Sequence, residues 1–173
     1  MHTCVLRPTL VYGPGVKGNL ETLIVAAKRG RCPPLPEFHN RRSLIGCDDL
    51  IEAALLAMQD PRAGGKTYIV SDGQVYSTRQ LVAAICAAAG RRIPRWTVPA
   101  WALRIGAVTG DALGALLRRP MPLRSEVYAR LAGSACYRST GLRDDLGWRP
   151  RQTFSGCVGE MVEAHGRASE TLP

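Results

Sequence analysis

The chain alternates short apolar runs with segments whose apolar positions recur every three or four residues, the pattern of strands feeding helices. "TCVLRPTLV" (3–11) reads as a strand, and 20–29 reads as an amphipathic helix ended by Gly30. "RSLIGC" (42–47) is a short strand, and Asp49 with Glu52 three positions on reads as a capping box opening a helix over 50–59. "KTYIVSDG" (66–73) is a strand and turn, and Thr78 is placed as the cap of a helix running to Ala89 and closed by Gly90. In "PRWTVPAWALRIGAV" (94–108) a short strand leads through Pro99 into a helix that continues toward Leu117. "GSACYRS" (133–139) reads as a strand, a short helix ends near "LGWRP", and Ser155 is placed as the cap of a last helix reaching about Arg167. Strand and helix signals alternate without repeats or low-complexity tracts, which predicts an α/β or α+β architecture.

Residues 13–18, "GPGVKG", spell G-x-G-x-x-G between a strand and a helix. A dinucleotide loop works by offering backbone N–H groups to a pyrophosphate, and Pro14 removes one of them. A second parallel strand carrying an acidic ribose ligand should follow the helix. Instead "RCPPLPEFHNRR" (31–42) places three prolines in four positions, which a central strand does not tolerate. An ordinary strand-to-helix turn is the better reading.

The length of 173 residues predicts one domain with a real core, and 46% hydrophobic against 21% charged residues is a globular balance. Lys and Arg number 23 against 14 Asp and Glu, a net charge of +9 carried almost wholly by arginine, so an acidic partner is expected. The arginines are dispersed and only 6% of residues are aromatic, which argues against nucleic acid. The six cysteines lack C-x-x-C spacing and accompany three histidines, so zinc is not expected, and reduced, mostly buried thiols in a cytoplasmic protein are. No signal peptide is visible, and Arg104 and Asp111 interrupt the longest apolar stretch, so a membrane span is not expected either.

Catalytic groups are scarce. His2, His39 and His165 lie near the termini or in the proline-rich loop, and no G-x-S-x-G elbow is present. Asp48 and Asp49 could form a carboxylate pair, but helix capping explains Asp49 without chemistry. The adjacent Arg41 and Arg42 suit either a bidentate phosphate clamp or a solvated basic turn, and spacing alone does not choose between them.

Four stretches in register carry a resemblance: "LRPTLVYGPG", "RSLIGCDDLIEAALLAM", "KTYIVSDGQVYSTRQLVAAICAAAG" and "LRDDLGWRPRQTFSGCVGEMVE". Together they resemble the C-terminal, substrate-binding half of the extended short-chain dehydrogenase/reductases, the NAD-dependent nucleotide-sugar epimerases and dehydratases. Within these the chain is most similar to the UDP-glucose 4-epimerase-like and polysaccharide-pathway enzymes. The resemblance implies the C-terminal portion of an extended Rossmann-type fold, with mixed short strands and packed helices, over all of residues 1–173. "GPGVKG" would then be the loop to the sugar-nucleotide site, not the dinucleotide fingerprint. It further implies that Asn19 and Leu20 touch a nucleotide diphosphate, that Arg42 pairs with it, and that Arg130, or else Arg124, supplies a second cation. Pro8 would lie beside the nicotinamide of an NAD(P) cofactor, and a UDP-sugar would be the partner.

The departures are specific. No tyrosine has a lysine four positions on, so the family's Tyr-x-x-x-Lys is absent, as are its N-terminal fingerprint and upstream Ser/Thr. Gly46 stands where histidine is common, Leu44 where tyrosine is, Leu10 where asparagine is, and Arg138 where aspartate is frequent. The expected chain is therefore a substrate-binding half whose NAD-binding half lies outside these residues and which has no catalytic residue of its own. The alternative is a non-catalytic module binding a nucleotide diphosphate or a protein. In the first reading the apolar strand at 5–11 lacks its sheet partner, and homodimers, aggregation or disorder of residues 1–12 are expected.

Overall fold

The computed structural model describes residues 2–94, 96–117 and 125–170. The apolar run at the start forms two strands, β1 (Val5–Pro8) and β2 (Leu10–Tyr12), divided at Thr9. A turn leads to α1 (Asn19–Lys28). Then follow β3 (Leu44–Gly46), α2 (Cys47–Gln59), β4 (Thr67–Val70) and α3 (Thr78–Ala88). The remainder is helical: α4 (Ala100–Leu117), α5 (Ser125–Ala132), α6 (Gly141–Leu146) and α7 (Phe154–Glu170).

The strands form two parallel pairs. β1 runs beside β4 with Val5 opposite Thr67 and Pro8 opposite Val70, while β2 runs beside β3 with Leu10 opposite Leu44 and Tyr12 opposite Gly46. The Asp72 N–H donates to the Leu44 carbonyl at 2.7 Å, joining the end of β4 to β3. Every residue of β3 is buried, as expected of a parallel strand covered on both faces. Leu44 belongs to a core with α1, α3 and α7, whereas the adjacent Ile45 belongs to a second core with α2, α6 and Trp148. Period-two alternation thus sends neighbouring side chains into two cores.

β1 is different. Val5 and Leu10 are exposed, and among the described residues the edge of β1 opposite β4 carries no strand. Burial on both faces is therefore not met within this chain, although β1 and β2 are formed, not disordered. Ile51, Leu55 and Met58 make a second apolar stripe on the outer face of α2.

Of four local expectations, one holds and three change. The "GPGVKG" segment is the expected strand-to-helix turn, and a Cβ at Gly13 (φ 155°) would stand 2.9 Å from the Cys47 Cβ, so glycine is required there. Asp49 is not a cap, because α2 begins two residues earlier with Gly46 at its N-cap. Its buried carboxylate instead accepts the Arg151 N–H at 3.1 Å and the Gln152 N–H at 2.9 Å, pinning the two residues after "WRP" to α2. The α3 cap is Ser77, which makes a complete capping box with Gln80, one residue before the expected Thr78. Ser155 lies inside α7, whose first helical residue is Phe154.

The strands expected near 94–98 and 133–139 are absent among the described residues. Val98 N–H instead bonds the Pro34 carbonyl, and Ala135 makes a single bridge to Arg42. The cysteines differ too: Cys32 and Cys86 form a disulfide with Cα atoms 6.2 Å apart, and of the four free thiols only Cys157 is buried.

Where β4 ends, the buried Asp72 carboxylate accepts the hydroxyls of Tyr76 at 2.8 Å and Tyr12 at 3.3 Å, and the Gln74 N–H at 3.0 Å. Tyr76 Oη accepts the Phe154 N–H at 3.2 Å, which ties α7 to the same point. Both tyrosines stack edge-on to the Phe154 ring. Burial pushes the Tyr76 phenol up to about 12, and Tyr12 higher still.

Burial also raises the Asp72 carboxyl above its ordinary value of 3.8, outweighing the hydrogen bonds that lower it. The folded state thus holds this proton more tightly than the unfolded state. The Asp72 contribution therefore falls as pH rises from 3.8 through the raised value. Asp72→Asn removes that slope, so denaturant midpoints of the variant should improve relative to the parent between pH 4 and pH 7. A relative loss over that window would contradict the assignment.

Candidate functional site

The candidate site is organised by the short stretch Asn40–Ser43 that enters β3. Asn40 is buried, and its Nδ2 donates to Thr78 Oγ1 at 2.7 Å, to the Leu131 carbonyl at 3.0 Å and to the Gly133 carbonyl at 3.1 Å. Its Oδ1 accepts the Thr78 N–H at 3.0 Å. Thr78 Oγ1 in turn donates to the Leu131 carbonyl at 2.8 Å. Arg42 exchanges backbone hydrogen bonds with Tyr76, while Ser43 N–H and the Arg41 carbonyl bond Ala135. One polar side chain thus locks the start of α3 to the end of α5.

This lock brings α5 over the start of α1. Between them lies a cleft of about 210 Å³ lined by Asn19, Thr22, Leu23, Leu35, Val127, Arg130 and their neighbours. Asn19 is the first residue of α1, where N–H groups without intrahelical partners begin. Arg130, on the last turn of α5, is exposed and pairs with Glu126 one turn earlier. The walls are otherwise aliphatic, and the Cys32–Cys86 disulfide anchors the loop carrying Pro33 and Leu35 to α3. The arrangement offers one guanidinium and one amide at the rim of an apolar slot.

Of the residues singled out from the sequence, Asn19 and Arg130 meet in this cleft. Leu20 is only 3% exposed and its side chain packs in the core. Arg42 does not line the cleft. Its Nε donates to Thr78 Oγ1 at 3.2 Å and a terminal nitrogen donates to the Arg130 carbonyl, so its guanidinium braces α5; burial lowers its pKa. Pro8 lies elsewhere, in a cavity of about 270 Å³ with Arg7, Thr9, Ile69 and Tyr137 at the end of β1. Arg124 lies outside the described residues. Asp48 and Asp49 are both engaged by residues 151–152 and form no catalytic pair. Sequence reasoning missed Asn40; its only local signal is a lone amide after a proline-rich loop.

The chain's own residues do not fit a dinucleotide phosphate site. The G-x-G-x-x-G turn follows β2, a strand paired only with β3, and residues 32–41 after α1 supply no further strand with a ribose-binding carboxylate. Among the described residues no His/Cys/Asp/Glu group could hold a metal ion, and no helix is long and apolar enough to cross a membrane.

Comparison with known proteins matches residues 1–71 to the NAD dependent epimerase/dehydratase family. UDP-glucose 4-epimerase of Vibrio cholerae is 29% identical over 170 residues, which cover 98% of this chain and 48% of the relative. The chain is similar to epimerases of the short-chain dehydrogenase/reductase type. The epimerase-like chain is also 30% identical over 157 residues to 2-alkyl-3-oxoalkanoate reductase of Stenotrophomonas maltophilia, covering 87% of the chain and 48% of that relative. In fold it matches UDP-glucose 4-epimerase of Thermotoga maritima, solved with UDP-glucose, with a TM-score of 0.65 at 19% identity over 96% of this chain and 46% of that one. The epimerase-like chain thus spans about half the length of the curated relatives it matches. Its α/β fold, with short parallel strands and packed helices, is that of the Rossmann-type epimerases.

Asn40→Ala removes the side-chain partner of the Gly133 carbonyl and the Thr78 N–H and leaves the Leu131 carbonyl with Thr78 Oγ1 alone. A stability loss of about 3 kcal/mol is expected in urea unfolding. Amide exchange in α5 should rise more than in α2, and equal protection of α5 in variant and parent would refute the lock.

Proposed function

We propose that this chain is the substrate-binding half of an NAD(P)-dependent nucleotide-sugar epimerase, dehydratase or reductase, and that it takes the diphosphate end of a UDP-sugar between Asn19 and Arg130. The convergence of these two residues on one cleft carries the reading. Asn19 amide and the free N–H groups of the first turn of α1 suit phosphate oxygens, and Arg130 can exchange Glu126 for a dianion. Arg42 acts through its bond to the Arg130 carbonyl, as a positioning residue. The open edge of β1 and the apolar stripe of α2 support an NAD(P)-binding half packing there, with Pro8 at the junction near the nicotinamide.

The aliphatic walls formed by Leu23, Leu35, Val127 and Leu131 favour a second reading. In it the slot holds the alkyl chain of a 3-oxo acid, the substrate type named for the Stenotrophomonas relative, with Arg130 on its carboxylate.

Calorimetric titration separates these readings. UDP and UDP-glucose should bind weakly, more weakly as salt rises, and Arg130→Ala should weaken binding on the order of tenfold, a charged contact being worth about 1.5–3 kcal/mol. Saturable binding of a 2-alkyl-3-oxo acid with no UDP binding would establish the second reading; equal UDP affinity in parent and Arg130→Ala would remove the first. A hydride-transfer enzyme needs a tyrosine whose proton a nearby lysine makes mobile, and no Tyr-x-x-x-Lys is encoded here. The chain alone should therefore show no NAD(P)-dependent conversion of a UDP-sugar, as followed by absorbance of the reduced nicotinamide and by product chromatography. Sustained turnover would contradict the division of labour.

A further inference from the structure

A cavity of about 290 Å³ lies between the turn after β4 and the segment entering α6, walled by Ser71, Gly73, Arg138, Ser139, Arg143 and Trp148 among others. No aspartate or glutamate lines it. Arg143 shares its Nε with the exposed Asp144 at 3.1 Å, and Arg138 has no hydrogen-bond or ion-pair partner among the described residues. The buried Ser71 Oγ accepts the Gly73 N–H at 3.3 Å and lies 2.5 Å from Ser139 Oγ. Two hydroxyls sharing one mutual hydrogen bond keep one proton between them with no acceptor among the described residues. Trp148, only 6% exposed, belongs to the same wall, and its Nε1–H has no acceptor among the described residues. The wall is therefore rich in donors and cations and poor in acceptors and anions. Unsatisfied buried donors are costly, so such a set suits a ligand that brings oxygens and negative charge.

We infer that this cavity is a second ligand site, separate from the Asn19–Arg130 cleft, that takes a phosphate dianion, either free or as a small phosphate ester. The volume exceeds what a bare phosphate needs and sits at the lower end of small-molecule pockets. Arg138 and Arg143 bind the phosphate oxygens, the Ser71–Ser139 pair donates its spare proton, and Trp148 reports occupancy from the wall.

Trp96 and Trp101 are exposed, so Trp96→Phe/Trp101→Phe leaves Trp148 as the sole tryptophan with the cavity intact. Fluorescence of Trp148 is then followed while inorganic phosphate, glucose 6-phosphate or chloride is added at constant ionic strength. The expected result is a saturable change with phosphate or the ester and none with chloride. Arg138→Glu should raise the half-saturation concentration at least tenfold, while Arg138→Lys recovers part of it and Arg130→Ala leaves it unchanged. Tighter binding of glucose 6-phosphate identifies an ester site, and equal or weaker binding identifies phosphate itself. Should the double tryptophan variant fail to fold, calorimetry on the unaltered chain and Arg138→Glu, both confirmed folded by circular dichroism, makes the same comparison. The absence of saturation, or equal affinity in Arg138→Glu, would mean an adventitious ion only and would overturn the site. Because the Arg130→Ala arm reports separately, failure here is distinguishable from failure of the cleft.

Discussion

The Asn40 amide is the constraint on which the candidate site depends. A buried primary amide has two donor hydrogens and one acceptor oxygen, and a site that satisfies all of them fixes the orientation of everything around it. Here the partners are the first residue of α3 and the last carbonyls of α5, two elements separated by 53 positions along the chain between Thr78 and Leu131. The residue before it, His39, adopts a left-handed backbone (φ 51°), a conformation unfavourable for residues with a Cβ. The surrounding contacts hold that turn and direct Asn40 inward. Arg42 follows from the same geometry: with Nε on Thr78 and a terminal nitrogen on the Arg130 carbonyl, it strengthens the joint from beneath.

A second buried polar centre does the equivalent work for the rest of the molecule. Asp72 gathers Tyr12 from β2, Tyr76 from the approach to α3 and, through the Tyr76 oxygen, the first residue of α7. Since β3 divides the two cores, the fold needs something to hold both cores in register across it. Asp72 does so at one end through its N–H to Leu44, and Asp49 does so at the other by holding residues 151 and 152 against α2. Such charge-assisted bonds are stronger than neutral ones and directional, so they fix where the layers sit while the apolar contacts supply most of the favourable energy.

What the sequence reveals and what it hides divides along these lines. Periodicity located β3, β4, α1 and α6 because their apolar spacing is local and strong, and Pro14 with the proline-rich loop correctly set aside the dinucleotide reading of "GPGVKG". Asp49 was misassigned because an aspartate early in a helix satisfies a local capping rule equally well, whereas its real partners lie 102 and 103 positions away. By resemblance Leu20 and Arg42 are ligand contacts; the Leu20 side chain packs in the core, and Arg42 places Nε and one terminal nitrogen on the protein. Residues whose role depends on distant backbone carbonyls, Asn40 above all, have no local periodic signal.

The two arginines of interest illustrate how context decides what a charge is for. Arg42 is half-buried and loses hydration, and two of its donors bond Thr78 Oγ1 and the Arg130 carbonyl. Arg138 is exposed at the mouth of a wall that holds hydroxyls, an indole N–H and another guanidinium, so the protein provides it with no acceptor among the described residues. A net charge of +9 would favour acidic partners anywhere on the surface. Where cations converge without carboxylates, beside hydroxyl donors, general attraction can become a site with a defined stoichiometry. The Asn19–Arg130 cleft and the Arg138–Arg143 cavity differ in this respect: the first places one cation beside aliphatic walls and suits one charged end of a longer molecule, whereas the second surrounds its ligand with donors and suits a compact anion.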